Sequence, residues 1–397
     1  KYRMKILHID ETFHPSYGYQ VNPLAKFQQH QGNEVYIATV DKEHLYPVYK
    51  EFGDSGETLD QEDKVYEDAT GVKIIRVKAK GYYFRRLVYT NEIFKVVELV
   101  KPDVLFVHCV ETITAMRFML KGLKYPMMFD SHMLSMASQN KFAKLYEKLY
   151  AAIFGRKIRD KGYIVVRTQD DKYVNGKLGI PEAQTPFISF GTDTILFSPS
   201  IEVRNSFRKE HNISEDVFVV VYTGKLTEAK GGMLLAETFK EKFSKEVILV
   251  CVGTPPNNEY GEKVRKILKE SQNRVIMFPT QKYQELAKFY QMADLSVFPK
   301  QCSMSFYDAQ ACGLPVLSED NNVNVDRCSY NNGFNFKAGS VEDFRTKIKE
   351  VSHMSAKELQ TYRNNAKKFI DNGYSYEHIA KEYTRYLQVS INNYNKQ

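Results

Sequence analysis

Twice along this chain, short apolar runs alternate with polar loops and helix-length stretches. In the first block the runs are Met4–Ile9, Val35–Val40, Val72–Val77, Pro102–His108, Pro126–Asp130, Gly162–Val166 and Pro186–Phe190. In the second they are Val217–Tyr222, Val247–Val252, Val275–Phe278, Leu295–Phe298 and a run opening at Val316. Residues that stay apolar at consecutive positions suit strands buried on both faces, and strands that alternate with helices build parallel sheets. The pattern therefore predicts an α/β protein of two doubly wound domains. Gly191–Pro199 breaks the rhythm and is the expected linker. The N-terminal domain would span 1–193, and the C-terminal domain 194–375. A last helix, Tyr376–Asn393 within the 376–397 tail, is long enough to return to the first domain. Residues 41–70 read as a long acidic surface excursion, residues 140–160 as a basic helix, Thr168–Leu178 as a further helix, and the final third as helical.

Ligands of parallel α/β sheets sit at the carboxyl ends of the strands, so the loops there carry the functional reading. The first, Asp10–Tyr19, contains His14 and a single glycine, Gly18, which is not a dinucleotide fingerprint. Asp130, Ser131 and His132 follow another strand of the same domain. In the second domain, Thr223–Gly232 sets Lys225 and Lys230 between Gly224 and the pair Gly231-Gly232. Lysines beside free N–H groups at a helix start make a diphosphate clamp by composition, although the P-loop spacing is absent. Gly253 opens the next loop. Asp294–Ser318 then reads as strand, small polar loop, helix and strand, with Asp308 one turn inside the helix, where it could accept from sugar hydroxyls. The plainer reading of that segment is an ordinary crossover with a solvated aspartate.

Composition narrows the classes. With 43% hydrophobic and 26% charged residues the chain is that of a soluble globular protein, long enough for two cores. No run reaches the roughly 18 apolar residues of a membrane span, and no signal peptide is apparent, so a cytoplasmic location is expected. Five cysteines without a CxxC pair indicate neither a disulfide framework nor a zinc site. The net charge of +8 is uneven: residues 51–70 hold eight acidic residues and one lysine, whereas 71–180 hold 21 lysines and arginines against nine acids. Aromatics interleave that basic stretch, as in Tyr82–Arg86 and Lys141–Arg159. No nucleic-acid motif accompanies it, so an anionic membrane surface is the preferred partner. No GxSxG elbow supplies a hydrolase nucleophile.

Together these pieces resemble a family-4 retaining glycosyltransferase of the GT-B fold, of the bacterial envelope or capsular polysaccharide type. Gly191–Pro199 (GTDTILFSP) looks like the family's interdomain segment, and Gly224–Gly231 (GKLTEAKG) like its phosphate loop. Asp294–Pro299 followed by Asp308–Val316 (DAQACGLPV) looks like the "ADvxvxPS…EAmAcGlPV" signature. The resemblance implies two Rossmann-like domains facing an interdomain cleft, with acceptor on the first and nucleotide sugar on the second. It implies that Lys225 and Lys230 bind the donor diphosphate, with Gly18 approaching it and Gly224 and Gly253 lining the donor side. Ser303, Met304 and Ser305 would add backbone N–H donors, and Asp308 would hold the ribose. Phe278, Pro279 and Thr280 would lie near the base. His132 would stand beside the reacting sugar or the phosphates, with His14 and Asp130 on the acceptor side. The expected donor is UDP-linked, the acceptor a glycan or lipid-linked glycan, and no metal or other cofactor is required. The chain departs from the family at its paired glutamates. Asp308 replaces the second, Lys300 stands where the first belongs, and Gln301 beside it is the expected substitute in a shortened loop. Two other readings share the fold: a non-catalytic partner that binds acceptor or stabilises an active subunit, and a sugar-nucleotide epimerase.

Overall fold

A computed structural model describes residues 3–49, 55–83, 86–133, 143–169 and 173–396. Parts of the expected basic segment, among them Phe84, Arg85, Lys141 and Phe142, lie outside the described residues. The chain forms two compact units, one of residues Gly191–Ser375 and one that combines the chain up to Phe190 with Tyr376 onward.

The first unit runs β1 (Lys5–Ile9), α1 (Val21–His30), β2 (Glu34–Val40), α2 (Lys42–Tyr49), α3 (Leu59–Thr70), β3 (Lys73–Val77), β4 (Ala79–Tyr83), β5 (Arg86–Tyr89), α4 (Glu92–Val100), β6 (Val104–Val107), α5 (Ile113–Lys121), β7 (Met127–Ser131), α6 (Ala143–Tyr150), α7 (Arg156–Asp160) and β8 (Ile164–Arg167). Its parallel sheet has the order β3-β2-β1-β6-β7-β8. β4 and β5 form a separate antiparallel hairpin.

The second unit runs α8 (Ile201–Glu210), β9 (Phe218–Thr223), α9 (Gly232–Thr238), β10 (Val247–Val252), α10 (Glu259–Lys269), β11 (Arg274–Phe278), α11 (Ala287–Met292), β12 (Leu295–Phe298), α12 (Ser305–Ala311), β13 (Val316–Glu319), α13 (Asn322–Arg327), β14 (Gly333–Phe336), α14 (Val341–Ser352) and α15 (Ala356–Asp371). Its sheet order, β11-β10-β9-β12-β13-β14, repeats that of the first unit. Both sheets reverse direction beside their first strand, which is the doubly wound switch point.

Every residue of β6, β9, β10 and β12 is buried, as unbroken apolar runs demand of central parallel strands. The last helix, α16 (Tyr376–Asn395), belongs to the first unit. It lays Tyr376, Ile379, Ala380, Tyr383 and Leu387 against Ile6, Val104 and Met128 of that sheet. Tyr383 also accepts a hydrogen bond from Gln20 at 2.6 Å.

Four expectations are corrected. The described part of residues 41–70 is not a surface excursion, because α3 is the crossover from β2 to β3. It buries Leu59 and Tyr66, and its Asp63 pairs with Arg76 of β3 at 2.6 Å. Pro186–Phe190 is no seventh strand; only Phe187 bridges, to Arg167. The described part of the stretch 168–178 contains a π-helical turn at Tyr173–Lys177 in place of a regular helix. The final third is not all helical, since β14 completes the second sheet. Among the described residues no helix is long and apolar enough to cross a membrane.

Candidate functional site

In the second unit the switch point lies between β9 and β12, and the loops that leave these strands are laced together. Lys230 Nζ donates to the Cys302 carbonyl at 3.4 Å, and Lys300 Nζ donates to the Glu228 carbonyl at 3.4 Å. A Cβ on Gly231 would stand 2.9 Å from Pro299 Cβ, so only glycine lets the loops close to this distance. Gly231 also takes φ +76°, a left-handed conformation that L side chains rarely adopt. Burial lowers the Lys230 pKa, and Lys225 adds to the effect. Two ammonium groups held this closely favour an incoming anion. On the next strand, Gly253 crosses so near Gly224 that a Cβ would fall 1.9 Å from the Gly224 carbonyl oxygen. The expected residues Gly224, Lys225, Lys230 and Gly253 are thereby gathered at adjacent strand ends.

Gln301 adopts φ +64°. Its N–H donates to Glu319 at 2.7 Å, and its carbonyl accepts from Asn324 at 3.1 Å, which leaves the side chain exposed. Ser303 and Met304 lead into α12, where the Ser305 N–H is taken by Ser303 Oγ at 3.2 Å. One expectation changes here. Asp308 does not stand open for a ribose. Its carboxyl is 5% exposed, and Oδ1 accepts from Thr192 at 2.6 Å and from Tyr283 at 3.2 Å. Burial pushes its pKa up to about 7. The Phe278 carbonyl accepts the Gly253 N–H, and the Pro279 carbonyl accepts from Gln281 Nε2. The Phe278 ring packs among Phe207, His211 and Phe289. Thr280 is half-buried in the same loop.

Asp294, first residue of the signature, serves the scaffold. Its carboxylate takes Arg204 and Arg363 on Oδ1 at 2.8 Å, and Arg208 at 2.7 Å with the Val219 N–H at 2.9 Å on Oδ2.

The switch point of the first unit carries a chain of buried polar side chains. His8 Nε2 meets Gln28 Oε1 at 2.8 Å, His8 Nδ1 meets His108 Nε2 at 2.9 Å, and His108 Nδ1 meets Asp130 Oδ2 at 2.7 Å. Asp130 Oδ1 accepts the Cys109 N–H at 2.7 Å. His132 ends the chain, with Nε2 3.5 Å from Asp130 Oδ2 and Nδ1 2.9 Å from Thr168 Oγ1. The proton count turns on the Gln28 amide. With Oε1 facing His8, His8 donates from Nε2 and accepts at Nδ1, so His108 donates from both nitrogens as an imidazolium; with the amide turned over, its Nε2, otherwise unpartnered among the described residues, donates to His8 and His108 is neutral. Electrostatics favour the imidazolium. Burial and His108 hold His8 down at about 3. Burial opposes charge on His108, but Asp130 outweighs it and raises the pKa. Burial would raise Asp130, but His108 and His132 hold it down at about 2. Burial lowers His132.

Glu11 and Glu111 stand at the same strand ends, both pushed by burial up to about 7. Thr114 donates to Glu11 at 2.6 Å. Carboxyls poised near neutrality, at strand ends that also carry a partly exposed imidazole, are the material of proton transfer. Sequence reasoning found Asp130 and His132 but missed His8, His108, Glu11 and Glu111. For His8 the available signal was a polar residue between apolar neighbours within a strand, since such a residue needs a partner; the other three lie just past strand ends, where polar residues are ordinary. His14 lies apart from the relay. It is buried against Tyr17 and Tyr49, and its Nδ1 accepts the Ser16 N–H at 3.1 Å, so it braces its own loop. Gly18 is half-buried in that loop and is absent from the left-handed glycines.

Comparison with known proteins places this geometry. Residues 203–369 match the family model described as glycosyl transferases group 1. A lipopolysaccharide 1,2-N-acetylglucosaminetransferase of Salmonella typhimurium is 28% identical over 199 residues, which is 47% of this chain and 52% of that protein. A D-inositol 3-phosphate glycosyltransferase of Pseudarthrobacter chlorophenolicus is 26% identical over 32% of each chain. The chain thus spans about half, or less, of the length of these curated relatives. Among solved structures, a glycosyltransferase from Rickettsia africae superposes with a TM-score of 0.74 at 15% identity, covering 98% of this chain and 99% of the other. Anabaena HepE in complex with UDP and glucose gives 0.74 at 15% identity, over 98% and 100%. Such likeness establishes the GT-B fold.

Proposed function

We propose, for a chain whose residues 203–369 match the family model of the group 1 glycosyl transferases, that it moves a hexose or N-acetylhexosamine from a UDP-sugar to a glycan or lipid-linked acceptor. The transfer retains anomeric configuration and serves cell-envelope polysaccharide synthesis. The observation that carries the reading is the laced loop pair at the second switch point, with Lys230 and Lys300 each reaching across to the other loop. As the bond between the anomeric carbon and the diphosphate breaks, negative charge grows on the leaving oxygen. Lys225 and Lys230 stabilise it there, so that the side chains supply the charge otherwise asked of a metal ion. The exposed Gln301 side chain orients the sugar. In the first unit, neutral His132 offers an imidazole nitrogen to the reacting sugar, while Asp130 stays ionised behind it. The acceptor oxygen forms the new bond to the anomeric carbon as the bond to the diphosphate breaks, and its proton passes to the leaving diphosphate oxygen.

The N-acetylglucosaminyl relative and the UDP-bound neighbour support a UDP-sugar donor. Calorimetry with UDP and GDP tests this reading: binding of UDP at sub-millimolar concentration is expected, and no binding of either nucleotide at millimolar concentration would overturn it. Release of UDP only in the presence of acceptor separates transfer from epimerisation.

A peripheral membrane location belongs to the same proposal. Leu145, Leu149 and Ile153 form an exposed apolar ridge on α6 and the turn after it, and Lys144, Lys148 and Arg156 flank the ridge. Apolar side chains rimmed by cations suit an anionic bilayer surface. Co-sedimentation with anionic vesicles is expected, and equal recovery with neutral vesicles would count against this face.

A further inference from the structure

The second unit holds a hollow of about 580 Å³ at the end of β12 away from the lysine loops. Asp294, which precedes β12, forms its floor, and its walls include Pro199, Ile201, Arg204, Leu359, Arg363 and Lys367. No acidic residue other than Asp294 lines it. That carboxylate is already saturated: three guanidinium groups and one backbone N–H share its two oxygens. The floor therefore keeps an excess of two positive charges. Lys367 at the mouth is paired with Asp371.

The guanidinium groups also keep unused donors. Arg363 spends only Nη2, on the Ala293 carbonyl and on Asp294. Among the described residues its Nε and Nη1 have no partner. Arg204 spends Nη1 and Nη2 and leaves Nε. Burial lowers the pKa of Arg363, and the neighbouring Arg204 and Arg208 add to the fall against the pull of Asp294. Cations forced together this way gain when an anion arrives, and a planar fork with spare N–H groups matches phosphate oxygens. The apolar wall of Pro199, Ile201 and Leu359 leaves room for a small organic group beside the charge.

We propose that this hollow is a second ligand site, for a small phosphate-bearing anion held by Arg363 and Arg204 with Lys367 at the entrance. It is separate from the lysine loops and does not depend on what they bind. Inorganic pyrophosphate is the probe, titrated by calorimetry into the Lys230→Ala protein, in which binding at the lysine loops is weakened. One site is expected to remain in that background. Adding Lys367→Glu, which reverses charge at the mouth without touching the Asp294 cluster, should weaken it about tenfold or more. Adding Arg363→Lys, which keeps the charge and removes the fork, should weaken it too, with thermal unfolding of both proteins checked in parallel. Absence of a site in the Lys230→Ala protein at millimolar pyrophosphate, or titrations of both further variants that match their parent, would overturn the proposal.

Discussion

Thr192 donates to Asp308 Oδ1 across 2.6 Å, joining the first turn of the second unit to the carboxyl of α12. The bond closes Asp308 away from solvent, and burial lifts its pKa from an ordinary 3.8 to about 7. In the folded chain the proton stays on until about pH 7, whereas in the unfolded chain it leaves near pH 4. Stability attached to this group is therefore whole at low pH and is lost as pH rises through that window. Asp308→Asn should gain on the parent as pH increases from 4 to 7, by at most about 4 kcal/mol. Denaturation curves of both proteins at pH 5 and pH 8 check it; a constant difference would refute the burial argument.

Lys230→Ala should weaken nucleotide binding by about tenfold or more, the loss of one charge-assisted contact. Only one 3.4 Å bond to the Cys302 carbonyl goes with it, so thermal unfolding should scarcely move. Calorimetry paired with calorimetric melting separates the two effects, and undiminished affinity would remove Lys230 from the phosphate clamp.

Asp130→Asn leaves the buried His108 without its counter-ion. Loss of about 3–5 kcal/mol is expected from breaking a buried pair by one partner. The parent's His108 should titrate above an ordinary histidine and the variant's below it, which histidine NMR reads directly. An unmoved His108 titration would show that the relay does not carry the imidazolium at His108.

Gly253→Ala places a methyl group 1.9 Å from the Gly224 oxygen at φ +149°. The ends of β9 and β10 must part to admit it, at a cost on the order of 3 kcal/mol or more. Urea denaturation measures it; a cost below 1 kcal/mol (roughly the strain of one left-handed residue) would mean the strand ends yield freely.

Gln301→Gly tests a division of labour at one residue. Its backbone sits at φ +64°, where glycine is at ease, while its side chain reaches solvent. Removing that strain offsets the added freedom of the unfolded chain, so stability should change by no more than about 1 kcal/mol. Sugar transfer should fall all the same, as a side-chain role requires, and unchanged turnover would end that role.

The sheets were legible because central parallel strands are buried on both faces and so nearly all apolar: β6 and β10 are apolar throughout, and β9 and β12 carry one small polar residue each, Thr223 and Ser296. What escaped lay at edges. β14 (GFNF) is a short edge strand with half-buried polar Asn335, and its period gives no signal against the helices around it. α3 was hidden because its acids looked like a solvated surface, although Asp63 and Glu62 are spent on Arg76 and on Ser16. In the site, glycines and lysines at strand ends announced themselves through spacing. Asp308 misled, because a carboxylate on a helix start reads the same whether it faces a ligand or a threonine more than a hundred residues away.

Because α16 lies on the first unit, the chain leaves that unit at Phe190 and returns to it at Tyr376. During synthesis the 185 residues of Gly191–Ser375 emerge before the helix that covers Ile6, Val104 and Met128. At about 5–20 residues per second that interval is roughly 10–40 s. The second unit can close on the ribosome while the first still shows an uncovered apolar sheet. Helix α16, made after the second unit, thus sets when the first unit can finish folding.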